Sequence, residues 1–112
     1  MATRAEWPAK NETALLRFLR ALAEAQAWLN DARNRSDAIA ILTEAAKLRS
    51  EDSARSYQLL VESAQAVPKS PDLDMNGLKT AIDLMGEAEV LRTPLPAPEK
   101  FADTSFTTRA RQ

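Results

Sequence analysis

The chain has 112 residues, no cysteine, no histidine and only two glycines, and its 15 Lys and Arg against 16 Asp and Glu leave a formal charge of −1. Without cysteine or histidine, a disulfide framework, a thiolate or imidazole metal site, a thiol nucleophile and a histidine base are all excluded. The length fits one small domain, and the near-zero charge argues against a nucleic-acid surface, which needs a clear excess of base.

Trp7-Pro8 introduces the first long element, with Asn11 as its N-cap and Glu12 in the first turn, where a carboxylate favours the helix dipole. Leu15, Phe18, Leu19, Leu22 and Leu29 recur at helical spacing, flanked by Ala14, Ala21, Ala25 and Trp28 and widened by Leu16 and Ala23. The polar strip is narrow: Arg17, Arg20 and Glu24. The apolar arc therefore covers roughly two-thirds of the helix, wider than a surface helix needs. A polar connection, Asn30 to Arg35, leads to Ser36 as the cap of a second helix marked by Ile39, Ile41, Leu42, Ala45 and Leu48. Ser50, followed by Glu51 and Asp52, caps a third, with Ala54, Tyr57, Leu60, Val61 and Ala64 on one face. Pro68 and Pro71 stop it.

Asp74 caps a fourth helix, whose buried face is Leu78, Ala81, Ile82 and Met85. The spacing predicts helices near residues 12–30, 37–48, 51–66 and 75–91. After Leu91, Pro94, Pro96 and Pro98 on alternate residues read as an extended segment, with Phe101 and Phe106 as its anchors and Thr107 to Gln112 frayed. The one stretch with strand character is Ala2-Thr3-Arg4. The expected class is all-α, a four-helix array or bundle with an extended Pro-rich C-terminal segment. Its parts are residues 1–10, the remnant of a strand leading in; 11–92, the helical domain; and 93–112, the docking tail. The polar start Met1 to Trp7 is no signal peptide, and no run approaches the ~20 apolar residues of a membrane span. No membrane insertion is expected, and the chain expressed as written would stay in the cytoplasm.

Four groups of residues invite a chemical reading, each beside a plainer one. Asp72-Leu73-Asp74-Met75-Asn76-Gly77 matches the first half of a calcium loop, but Asp83 at its twelfth position is shorter than the usual glutamate and Lys79 stands where an apolar residue belongs. An Asp-capped helix start is favoured, with no metal. The second and third helices are spaced like a helix-turn-helix. The third opens with Glu51 and Asp52 and offers Arg55 alone, so a plain hairpin is favoured and no nucleic-acid partner expected. Arg17, Arg20, Arg33 and Arg35 are candidates to gather round an anion, although Arg20 and Glu24 four apart fit an ion pair on a solvated face. The Trp7 and Trp28 rings are candidates to stack on a ligand; beside alanines at helical spacing, Trp28 reads as packing. No nucleophile elbow, Gly-rich phosphate loop or spaced acidic dyad is present, so no catalytic residue and no cofactor is assigned.

Five segments in order carry a resemblance. They are Glu6-Trp7-Pro8-Ala9-Lys10-Asn11 with Leu16-Arg17-Phe18-Leu19-Arg20-Ala21-Leu22; Ala38-Ile39-Ala40-Ile41-Leu42; Ala54-Arg55-Ser56-Tyr57-Gln58-Leu59-Leu60; Leu73-Asp74-Met75-Asn76-Gly77-Leu78; and Pro98-Glu99-Lys100-Phe101-Ala102-Asp103-Thr104-Ser105-Phe106. Together they resemble the late part of an ABC importer's solute-binding protein, of the nitrate, sulfonate, taurine and thiamine-pyrimidine class. Gly86-Glu87-Ala88-Glu89-Val90 departs from the family's acidic-aromatic-glycine ending of the fourth helix.

The resemblance implies a fragment of a larger two-lobed α/β fold, periplasmic, working with an ABC permease and the remainder of the binding protein. It places no ligand-contacting residue on this chain. The alternative is an independent helical module that binds through its apolar faces. On either reading the wide arc of the first helix needs cover. A homodimer through Leu15, Phe18, Leu19, Leu22, Trp28 and Leu29 is expected.

Overall fold

The computed structural model describes Thr3, Arg4 and residues 6–112, and the fold is all-α. Among the described residues there are six α-helices: α1 Glu6–Lys10, α2 Glu12–Asn30, α3 Arg35–Ala46, α4 Ser50–Tyr57, α5 Met75–Glu87 and α6 Ser105–Ala110. A 3-10 turn at Ala32–Asn34 joins α2 to α3, and another at Pro98–Lys100 follows the prolines. Ala2 of the strand expected at Ala2-Thr3-Arg4 lies outside the described residues, and Thr3 and Arg4 are neither helix nor strand. Residues 6–10 form a helical turn rather than the end of a strand. Pro8 is tolerated there because the amides of a first turn have no helical acceptor to lose.

The chain divides into two compact units, Arg17–Pro71 and the discontinuous pair Met1–Leu16 with Asp72–Gln112. These boundaries differ from the 11–92 domain and separate tail read from the sequence. The division falls within α2, and residues 93–112 belong with α5.

In the unit Arg17–Pro71, α3 and α4 form a hairpin centred on Ala38, Ile39 and Tyr57, against which Leu29, Ala54 and Val61 pack. The helix ends here are closed by side chains. The last four carbonyls of α2 lack helical donors; side chains reach two of them, Trp28 and Leu29, and a third side chain bonds the Gln26 carbonyl one position earlier. Asn30 Nδ2 donates to the Gln26 carbonyl at 2.9 Å, Asn34 Nδ2 to Trp28 at 2.9 Å, and the Tyr57 hydroxyl to Leu29 at 2.9 Å. The expected caps Ser36 and Ser50 lie inside α3 and α4 instead. The 3-10 turn runs directly into α3, and Asp31 caps that turn by accepting from the Arg33 amide at 3.0 Å.

α3 stops at a left-handed residue, Lys47 (φ 52°), where the Leu48 amide donates back to the Thr43 carbonyl at 3.2 Å. This is the helix-ending geometry that glycine normally supplies. α4 does not continue as the α-helix expected to residue 66. Gln58–Ser63 widens into a π-helical turn, with the Ala64 amide donating to Leu59 at 2.8 Å, and Gln65 (φ 46°) ends it. A bond reaching back five residues shifts the helical face. Leu60 and Ala64, expected beside Tyr57 and Val61, are consequently exposed. On α3, likewise, Ile41, Ala45 and the following Leu48 are exposed and Ile39 is buried.

In the unit Met1–Leu16 with Asp72–Gln112, Asp74 caps α5, accepting from the Asn76 and Gly77 amides, both at 3.0 Å. A Cβ on Gly77 would lie 2.8 Å from the Asp74 carboxylate, so this tight cap needs the glycine. Ile82 is the buried residue of α5; Leu78 is half-buried, while Ala81 and Met85 are exposed. α5 ends at Glu87, four residues earlier than expected, and left-handed Glu89 (φ 57°) follows, with the Val90 amide donating to Met85 at 2.9 Å. Leu95 of the proline-rich segment then lies on Gly86, where any Cβ would meet its methyls at 2.7 Å. Of the two expected anchors, Phe106 is half-buried but Phe101 is exposed; Leu95 does the docking instead. The expected frayed end is α6, with Ala110 buried.

Candidate functional site

The six residues expected to mediate self-association fall into two groups. Leu15 and Leu19 are 5 % and 6 % exposed, covered within the chain itself, and they leave that set for want of accessible surface. Leu22 and Leu29 are half-buried, the latter against the hairpin core. Phe18 and Trp28 remain outside, at 49 % and 38 % exposure. Trp28 does not pack as its alanine neighbours implied.

Exposed apolar side chains are the main feature of both units. Among the described residues, seven hydrophobic residues are buried, two of them alanines, while twelve large ones stay exposed. Six belong to the unit Arg17–Pro71: Phe18, Trp28, Ile41, Leu48, Leu59 and Leu60. The other unit carries Trp7, Leu73, Leu84, Met85, Val90 and Phe101. Single exposed leucines need no explanation, but a surface holding more large apolar groups than the core does. The sequence pattern signalled this on α2. It missed Leu48, Leu59 and Leu60, which the left-handed stop and the π-helical turn direct outward.

The charged candidates separate into local pairs. Asp72 is held by Arg111, the Asp74 carboxylate by two backbone amides, and Asp83 by Lys79 at 2.7 Å. Three carboxylates do not converge anywhere among the described residues. Arg33 grips Asp31 at 2.6 Å; its guanidinium first, and its amide second, lower the Asp31 carboxyl to about 2, while the carboxylate raises Arg33. Arg35 pairs with Glu62 at 2.9 Å and lies 5.7 Å from the Tyr57 ring centroid. Arg33 and Arg35 thus serve separate carboxylates. Just ahead of α4, Arg49 pairs with Asp52 in its first turn at 2.9 Å.

A half-open cleft of about 190 Å³ lies in the hairpin unit, lined by Asn30, Ala32, Tyr57, Val61, Glu62, Gln65 and Lys69. It borders the π-helical turn, which no sequence signal announces. It is smaller than the ~300–1,000 Å³ typical of clefts that bury drug-sized ligands. Ser53 of α4 is wholly buried, and its hydroxyl has no hydrogen-bond partner among the described residues. No family model, no curated protein and no solved structure matches the chain.

Proposed function

We propose that the chain is the C-terminal helical portion of an ABC importer solute-binding protein, a structural part whose apolar faces are covered by the rest of that protein. The observation that carries this is the surplus of twelve exposed large apolar side chains over a seven-residue buried core among the described residues. Covering each such side chain is worth ~1.5–3 kcal/mol. A helical piece laid against further lobes would realise that gain. The five ordered segments point to the same kind of protein.

The test is calorimetry with taurine, nitrate, aliphatic sulfonates and thiamine pyrimidine precursors. The chain alone gives no saturable heat. Joined in one polypeptide to α/β lobes encoded immediately upstream, it binds one of them stoichiometrically. Saturable binding by the chain alone, or the absence of such lobes and of a neighbouring permease and ATPase, would overturn the reading.

A second reading, an independent module that self-associates, is favoured by α2. Phe18 and Trp28 stand exposed on one long helix, with Leu22 half-buried beside Phe18, apolar surface open to a second copy.

A further inference from the structure

The C-terminal helix is fastened by charge. Arg109 Nη1 lies 2.7 Å from Glu12 in the first turn of α2, and Arg111 pairs with Asp72, just ahead of α5. The Arg109 guanidinium also covers the Phe106 ring, 4.5 Å from its centroid. At the other end Asp103 accepts from the Ser105 amide at 3.0 Å and starts the helix. Beside these polar ties, α6 buries Ala110 and half-buries Phe106 and Thr107. Six residues are too few to hold a helix in water, so α6 exists only while it is docked. Both ion pairs are half-exposed, the class whose strength is small and falls as salt rises.

We propose that α6 is a releasable strap: a charge-held C-terminal segment that ties the start of α2 to the approach of α5, and that opens with rising ionic strength while the α3–α4 hairpin stays folded. The proposal stands apart from the solute-binding reading, because it uses only groups within one unit of this chain. Its opening would uncover Glu12, Asp72 and the basic, aromatic-flanked end of the chain together.

Backbone 13Cα shifts of residues 105–110 test it. In the wild-type chain they are helical at low salt and move toward coil values by at least about half as NaCl rises from ~0.01 M to ~1 M, over which the screening length shrinks from about 30 Å to 3 Å. Over the same range the shifts of α3 and α4 hold. Reversing the strap's charges (Arg109→Glu with Arg111→Glu) gives coil shifts in 105–110 at low salt. Adding Glu12→Arg and Asp72→Arg restores the helix. The strap is refuted if 105–110 ignores salt and charge reversal, if it is coil from the start, if the four-residue swap fails to restore it, or if α6 melts only together with the hairpin.

Discussion

The unit Arg17–Pro71 is one unbroken stretch whose centre is an apolar cluster with a tyrosine at its middle; the other unit is made of two stretches far apart in sequence, tied by carboxylates and arginines. In the first, Tyr57 joins both kinds of interaction. Its ring is buried between α3 and α4 while its hydroxyl closes the end of α2. In the second, the capping carboxylates of Asp74 and Asp103 and the pairs made by Arg109 and Arg111 lie at the surface, with Leu15, Ile82 and Ala110 as the buried apolar residues. The contrast is one of contiguity. Both units carry surface ion pairs, but those of the first are local, the longest joining Arg35 to Glu62 across 27 positions, whereas in the second Arg109 reaches Glu12 across 97 and Arg111 reaches Asp72 across 39.

The largest effect that can break this comparison is expected at Tyr57. Tyr57→Ala should cost about 3–5 kcal/mol in urea unfolding, the range for emptying a buried aromatic site. Tyr57→Phe should cost about 1 kcal/mol, since it removes only the hydrogen bond to the Leu29 carbonyl. Equal losses from both variants would mean that the hydroxyl, and not the ring, holds the hairpin. Next comes Asp74→Ala, which removes the cap from the Asn76 and Gly77 amides and should cost about 1 kcal/mol, read by circular dichroism and by fraying confined to the start of α5. No change in α5 would remove the cap from the account of this unit.

The smallest effect sharpens the comparison through acid. Asp31 is lowered to about 2 by the Arg33 guanidinium, and Asp103 is lowered by the Ser105 hydroxyl and amide. A depressed carboxyl contributes stability that is fully present above the ordinary aspartate range near pH 4 and is lost as pH falls toward the folded value. The melting temperature should therefore drop slightly between about pH 4 and pH 2, and Asp31→Asn should flatten part of that drop. A melting temperature that rises on acidification would reverse the sign.

How much was legible follows the same line. α2 was read with its observed bounds, 12–30, because its apolar spacing is long and uninterrupted. The Asp74 cap was legible from its residue type and position. The stops were not. α3, the π-helical turn and α5 are each followed by a left-handed residue, Lys47, Gln65 and Glu89, none of which carries the local signal of glycine, and neither glycine of the chain takes that role. The left-handed stop at Lys47 and the π-helical turn at Gln58–Ser63 turned Leu48 and Leu60 outward against the pattern. α6 was hidden for a related reason: Ser105 to Ala110 has weak helical preference, and its partners Glu12 and Asp72 are remote in sequence. The expected set for self-association contained Phe18 and Trp28, yet helical spacing alone cannot say which side of a wide arc the rest of the chain will cover.

The claim shared by both functional readings is that the apolar surface of this chain is meant to be covered, and light scattering on the purified chain at tens of micromolar tests it most directly. In a twofold dimer both copies bury such side chains, each worth at most ~1.5–3 kcal/mol, a gain of the same order as the association cost. The account predicts a helical dimer or larger species, reduced to a helical monomer by Phe18→Glu or Trp28→Glu, which place a carboxylate on the exposed face of α2. A wild-type chain that remains a folded, helical monomer throughout that range would contradict it.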